Sequence, residues 1–442
     1  MDMLVIRGGQ PLRGTVRTSG AKNAALPIMA ACLLTDGPVR LSEVPKLADV
    51  DSLSQLLRLL GVDVEATGPQ ELSLRVIDRQ HFTAPYDLVR KMRASICVLG
   101  PLVARRGRAK VSLPGGCNIG HRPIDLHLRG LEALGAQIRV EGGYVEASAR
   151  RLRGATISLA GPCGSTVTGT ANIMAAAVLA SGVTTITSAA LEPEIVDLAE
   201  FLNGLGAQIT GQGTPEIRIE GVAALSGGKY SVIPDRIEAA TLMIAAIATR
   251  GEVTITNIQP THLESVIHLL REAGADIEIE QSGEETRVVA AGRRMLRPIE
   301  FSATPYPGVP TDLQAQLTAL LTAAAGDSTV TDAVFPNRFM HVSELCRMGA
   351  RIEHRGDGVV IRGRNRLSGA SVMASDLRAS AALAVAALAA EGQSVIRRVY
   401  HLDRGYERLD LKLQSLGGQV ERILDSPDSI PGSDPTAFLK AA

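Results

Sequence analysis

Residues 234–280 read PDRIEAATLMIAAIATRGEVTITNIQPTHLESVIHLLREAGADIEIE, and the order of patterns in this stretch recurs six times along the chain. An Ala-rich run, Ala239 to Ala248, carries few charges on any side, so it predicts a helix buried all round. Gly251 ends it, and Val253-Thr254-Ile255-Thr256 alternates as a half-buried strand does. Thr261 to Ala273 places its charges on one face, as a surface-packed helix does, and runs through Gly274 into another strand. The glycine after the first helix recurs at Gly37, Gly107, Gly182, Gly251, Gly326 and Gly392. The one before the later strand recurs at Gly61, Gly135, Gly206, Gly274, Gly349 and Gly417. A unit of about 70 residues with two helices and several strands is an α/β unit and not a helical solenoid turn.

Single cores stop growing near about 250–300 residues, so 442 residues divide more naturally into two domains of three units than one ring of six. The predicted division is 22–232 for one domain, 1–21 with 233–424 for the other, and a loose tail rich in Pro, Ser and Asp over 425–442. The strand Met3 to Arg7 has no helix of its own and is expected to complete the C-terminal sheet. Units set about an axis would bring their central helix N-termini together, two such faces forming a cleft suited to phosphate and carboxylate.

Composition narrows the function. Lys plus Arg equals Asp plus Glu, so nothing favours nucleic acid or an anionic membrane as partner. The longest apolar run, Ala379 to Ala390, is too short to span a bilayer, and Met1 to Gln10 has no long apolar stretch, so no secretory signal is expected. Five scattered cysteines without a CxxC pair argue for a reducing, cytoplasmic setting without disulfides. No histidine spacing suggests a metal. Cys32, Cys97 and Cys346 sit in apolar helical runs and read as core residues, with Cys163 outside that group. Cys117 differs. Its loop, Pro114-Gly115-Gly116-Cys117-Asn118-Ile119-Gly120-His121-Arg122-Pro123, has no counterpart in the other units and could act as a mobile lid with a tuned thiol.

Lys22, Arg93, Arg122, Arg236, Arg378 and Arg404 all lie at helix starts or in loops after strands, and Arg suits bidentate capture of carboxylate and phosphate. Asp312 opens a helix and reads either as an N-cap or as a general base; Asp235 and Asp376 occupy similar slots.

Several blocks then carry a resemblance. Ser19-Gly20-Ala21-Lys22-Asn23-Ala24-Ala25-Leu26, Leu113-Pro114-Gly115-Gly116-Cys117 and Arg122-Pro123-Ile124-Asp125-Leu126-His127 resemble the UDP-N-acetylglucosamine 1-carboxyvinyltransferases, a branch of the enolpyruvyl transferases. So do Pro310-Thr311-Asp312-Leu313-Gln314-Ala315-Gln316, Asn337-Arg338-Phe339-Met340-His341 and Asp403-Arg404-Gly405-Tyr406-Glu407-Arg408. The likeness runs to about Ile423. It implies a two-domain inside-out α/β barrel of three plus three units. It also implies transfer of the enolpyruvyl group of phosphoenolpyruvate to the 3′-hydroxyl of UDP-N-acetylglucosamine, the first committed step of peptidoglycan synthesis, without a cofactor or metal. By the same resemblance Cys117 is the proton donor, Lys22, Arg122 and Arg404 hold the donor's anionic groups, and Asp312 helps deprotonate the acceptor. The nucleotide-sugar site would draw on Asn23, Arg93, Arg122, Pro123, Ile124, Asp125, Leu126, Thr166, Val167, Thr168 and Val334, with Asp376 and Arg378 supporting the closed cleft. The chain departs from the family pattern at Ala240, Thr168, Gly169 and Tyr306. A 5-enolpyruvylshikimate-3-phosphate synthase shares the fold and donor but lacks the cysteine loop, and a non-catalytic UDP-sugar-binding regulator is the second alternative.

Overall fold

The computed structural model describes residues 2–115, 123–162, 164–283, 285–364 and 366–424. Six four-stranded mixed sheets repeat one plan. The strand that follows each buried helix, such as Glu252–Thr256, sits between a parallel neighbour and an antiparallel partner, which comes from a hairpin in every unit but the last. The parallel neighbour always comes from a different unit, and this links the units in two closed sets. Thr83–Ala84 pairs with Arg108–Ser112, Thr156–Ser158 with Val183–Thr187, and Gly228–Ser231 returns to Val39–Ser42 of the first unit. In the second set, Glu300–Ala303 pairs with Ser328–Asp332 and Ser371–Met373 with Gln393–Arg397. Arg13–Arg17 then returns to Glu252–Thr256. The strand Asp2–Arg7 lies between Gln393–Arg397 and Gln419–Leu424, antiparallel to both, as the sequence predicts for a strand without its own helix. Among the described residues it takes the place that the second hairpin strand holds in the other units.

The apolar side chains fall into two large clusters that follow the same division. One runs from Ala21 to Val232. The other combines Leu4 to Val16 with Ile237 to Val420. At their centres lie the helices that the sequence marks as apolar all round: Lys22–Ala31, Val167–Ala177, Arg236–Ala248, Gln314–Leu321 and Leu377–Ala389. Ala-rich helices let backbones approach closely, which suits a core almost without aromatic rings. The second repeat glycine has a physical role in every unit. Gly61, Gly135, Gly206, Gly274, Gly349 and Gly417 have φ between 79° and 103°, the left-handed turn that ends the second helix and that L side chains resist.

Two segments cross between the halves side by side. Gly20 bridges Pro234 in antiparallel fashion, Ala21 N–H donates to Ile233 O at 2.7 Å, and Asp235 N–H donates to Ser19 O at 2.9 Å. A Cβ on Gly20 would stand 1.7 Å from Glu43 O, so only glycine fits this crossing.

One expectation is corrected. Cys346 is exposed, because the helix His341–Arg347 turns that face outward; Cys32 and Cys97 are buried as expected. Burial pushes both buried thiols up, Cys97 to about 12, so neither supplies thiolate at neutral pH. Cys163 and the tail 425–442 lie outside the described residues. Among the described residues, no helix is long and apolar enough to cross a membrane, and no group of three His, Cys, Asp or Glu side chains could hold a metal ion.

Candidate active site

Lys22 is the first residue of the buried helix Lys22–Ala31, and Asp49 lies in the first turn of Ala48–Leu59. Both belong to the first half. Arg404 ends a short 3₁₀ turn, Val399–Arg404, in the second. The three meet. Lys22 Nζ lies 2.6 Å from Asp49 Oδ2, and Arg404 Nε donates to Asp49 Oδ1 at 2.9 Å. Asp49 is 2% exposed. Sequence reasoning brings Lys22 and Arg404 to one anion site but misses Asp49, whose only signal was an ordinary acidic residue in a helix's first turn. Asn23 follows Lys22 and is exposed.

The crossing segments extend this cluster. Asp235 caps Arg236–Ala248 by accepting from Ile237 N–H and Glu238 N–H, and Lys22 N–H lies 3.4 Å from its Oδ2. Burial pushes the Asp235 carboxyl up, and the nearby Arg378 charge opposes that push. Glu407 Oε2 accepts from Ser19 Oγ at 2.7 Å and from Gln70 Nε2 at 2.8 Å, a further tie between the halves. Arg236 is not a free cation: it makes a two-point pair with Glu194 across the same interface, at 2.9 and 3.2 Å, both side chains buried.

Asp312 does not cap its helix. It sits in a 3₁₀ turn, Thr311–Leu313, and its two oxygens are held by two guanidiniums, Oδ1 by Arg338 and Oδ2 by Arg378, each at 2.8 Å. Burial alone would raise its carboxyl, but Arg378 and Arg338 outweigh burial and hold it well below the usual carboxylate range. Arg338 also donates to Thr311 Oγ1, which donates to Asp332 Oδ2 at 2.6 Å. Asp332 Oδ1 in turn accepts from Val334 N–H and Phe335 N–H. The chain Asp332–Thr311–Arg338–Asp312 thus fixes Val334 and Asp312 relative to one another. Asp376 caps Leu377–Ala389, leaving the Arg378 side chain, 2% exposed, to reach Asp312 with its guanidinium 5.3 Å from the Tyr406 ring centroid. Sequence reasoning names Arg378 but gives Arg338 and Asp332 no role.

A third group lies around two helix starts of the first half. Arg93 donates to Pro123 O at 3.2 Å. Ile124 and Leu126 are buried, while Asp125 is exposed in the first turn of Asp125–Ala133. Thr166 caps Val167–Ala177 by accepting from Gly169 N–H, and Thr168 Oγ1 lies 3.3 Å from His127 Nε2. His127 also meets Asn172, which accepts from Gly100 N–H at 2.6 Å. His127, which follows the predicted residues 123–126 in the chain, thus ties Asp125–Ala133 to the first turns of Val167–Ala177. Cys117 and Arg122 lie outside the described residues.

Comparison with known proteins agrees with this architecture. The family model for EPSP synthase (3-phosphoshikimate 1-carboxyvinyltransferase) matches residues 6–413. A UDP-N-acetylglucosamine 1-carboxyvinyltransferase of Desulfosudis oleivorans is 52% identical across 96% of this chain and all of its own length. UDP-N-acetylglucosamine 1-carboxyvinyltransferase 2 of Carboxydothermus hydrogenoformans is 53% identical with the same coverage. Among solved structures, the enolpyruvyl transferase NikO from Streptomyces tendae superposes with a TM-score of 0.85 at 28% identity, covering 96% of this chain and 99% of that one. EPSP synthase from Acinetobacter baumannii, at 20% identity and a TM-score of 0.74, shares the fold. The chain is an enzyme of the enolpyruvyl transferase family, and within it belongs to the UDP-N-acetylglucosamine 1-carboxyvinyltransferases.

Proposed function

We propose that this chain transfers the enolpyruvyl group of phosphoenolpyruvate to the 3′-hydroxyl of UDP-N-acetylglucosamine, releasing phosphate and committing the sugar to peptidoglycan synthesis in the cytoplasm. The observation that carries the reading is the meeting of Lys22 and Arg404, from opposite halves, on one buried carboxylate. A donor bearing phosphate and carboxylate needs such a cationic cradle between two elements. The two three-unit halves are read as domains of an inside-out α/β barrel pair, with the cleft between them.

In this reading Lys22, Arg404 and Arg122 hold the donor. Protonation of its methylene carbon by the Cys117 thiol generates an oxocarbenium-like centre at the adjoining carbon. The sugar hydroxyl oxygen attacks that centre and gives up its proton, forming a tetrahedral ketal. Loss of a proton from the new methyl group and cleavage of the carbon–oxygen bond to phosphate then yield the enol ether and inorganic phosphate. Asp312, held ionised by Arg338 and Arg378, is a weak base toward a free hydroxyl. Its role is to accept the hydroxyl's hydrogen bond, orient the oxygen, and take the proton late, once bond formation has made that oxygen strongly acidic. Asn23, Arg93, residues 123–126, Thr166, Val167, Thr168 and Val334 hold the nucleotide sugar. No metal or organic cofactor enters the reaction.

Phosphate release measured with UDP-N-acetylglucosamine, and separately with 3-phosphoshikimate, tests the proposal; release only with the nucleotide sugar is expected. Release with 3-phosphoshikimate would assign the chain to the synthase branch, and binding of the nucleotide sugar without release would make it a regulator. Cys117→Ser is expected to lower turnover about 10³-fold or more while leaving the melting temperature unchanged, because a hydroxyl is a far weaker acid than a thiol. Parent-like turnover would remove Cys117 from the acid role.

A further inference from the structure

We propose that Asp49 is the positioning residue of the donor site, an internal anion that holds Lys22 and Arg404 together across the two halves and weakens the grip of that pair on phosphate. The inference rests on the reading of Lys22 and Arg404 as donor-binding cations and goes beyond it.

Three observations carry it. Asp49 is 2% exposed, yet its carboxylate touches cations from the two different halves, Lys22 at 2.6 Å and Arg404 at 2.9 Å. An ordinary buried ion pair joins one acid to one base; here one acid spans the interface between two. Asp49 also sits in the first turn of Ala48–Leu59, where the helix N-terminus favours its negative charge and fixes its place. Lastly, both cations are substantially buried, with side chains 10% and 20% exposed, so water does little to compensate them when their carboxylate is removed.

The charge balance gives the consequence. Lys22, Arg404 and Asp49, taken by themselves, sum to a charge of +1, against +2 for the two cations without the carboxylate. A donor with a phosphomonoester and a carboxylate brings roughly three negative charges at neutral pH. Asp49 therefore repels every anion that enters, donor and product alike, while keeping the cations from repelling each other apart. A site without it would bind anions more tightly and release phosphate more slowly. Asp49 acts through Lys22 and Arg404 and takes no proton in the reaction.

The test is calorimetric titration of inorganic phosphate into the full-length parent, Asp49→Asn and Asp49→Glu, alongside steady-state kinetics. Asp49→Asn is expected to bind phosphate at least about tenfold more tightly, because one unit charge a few ångström away has been removed. Its kcat and its KM for phosphoenolpyruvate should both fall. Asp49→Glu keeps the charge and is expected to stay within about threefold of the parent for phosphate, less than the tenfold step that 1.4 kcal/mol represents. A purely structural Asp49 gives the opposite sign: Asp49→Asn would bind phosphate no better or more weakly and raise KM, and that result overturns the proposal. If Asp49→Asn does not fold, Asp49→Glu decides alone, parent-like phosphate affinity supporting the role and a tenfold change in either direction rejecting it. Phosphate binding needs no turnover, so a chain that fails to transfer the enolpyruvyl group but shows this pattern would refute the transferase reading and leave the role of Asp49 standing.

Discussion

Asp312→Asn is expected to lower kcat by about three orders of magnitude, the range that a positioned proton acceptor commands. The amide is nearly isosteric, so volume is not the cause. Asp312 offers two anionic oxygens, one to Arg338 and one to Arg378, both side chains nearly fully buried. Asn can still accept from one guanidinium, but it turns an NH2 toward the other, donor against donor. It also lacks the charge that orients the sugar hydroxyl. Removing one partner of a buried charge pair costs about 3 kcal/mol, so the variant should unfold at lower urea as well. The two effects separate by pH. The folded Asp312 carboxyl is depressed well below its ordinary value, so its contribution to stability is present in full above the unfolded value of about 4 and is lost progressively as the pH falls below that. The acid limb of the parent's pH–rate profile above pH 5 therefore belongs to another group. A variant that keeps kcat within tenfold of the parent would place hydroxyl orientation elsewhere.

What the sequence made legible depended on whether local pattern or long-range meeting decides a feature. The six-unit plan was readable because each unit repeats its own signals: an Ala-rich run without a polar face, a left-handed glycine such as Gly274, a β-branched strand. The closing of units into two sets rests on parallel pairings such as Gly228–Ser231 with Val39–Ser42, nearly 190 residues apart, which no local pattern specifies. The same limit governed the site. Lys22, Asp312 and Arg404 stand in blocks that resemble a family, so they could be named. Asp49 and Asp332 could not, because each is an unremarked acid whose importance arises only when a second chain segment arrives. Arg338 was quoted within such a block, yet only the fold shows it holding Asp312. Asp312 itself was ambiguous between cap and base, and the fold removes only the cap, since its carboxylate is taken by two arginines rather than by backbone N–H groups.

A second large effect should appear in stability rather than turnover, and it comes from two buried groups with opposite signs. Asp197 lies in the helix Pro193–Gly204, 1% exposed, and accepts from Tyr230 Oη at 2.6 Å. Burial pushes its carboxyl up, and the Tyr230 hydroxyl and Ile233 N–H only partly oppose that, leaving it at about 7. An acid raised on folding binds its proton more tightly in the native state, so stability falls as pH rises from about 4 to about 7, by on the order of 4 kcal/mol. His341, 2% exposed in the other half, is pushed by burial down to about 4. A base depressed on folding does the reverse: stability rises as pH climbs from about 4 to about 6.5, by on the order of 3 kcal/mol. The two slopes nearly cancel over pH 4 to 6.5, so a flat stability profile of the parent would hide both. Asp197→Asn exposes them. The amide can still accept from Tyr230, and it matches the protonated acid, so the variant should equal the parent near pH 4, gain steadily above it, and hold a constant advantage above pH 7. Urea unfolding of both proteins at pH 5, 6, 7 and 8 reads this directly, and a difference that stays constant across those four values would mean that Asp197 is ionised throughout. Because the helix of Asp197 packs Leu198 and Leu202 into the first core and that of His341 packs Val342 and Leu345 into the second, any separation of unfolding into two transitions should assign the falling slope to one and the rising slope to the other.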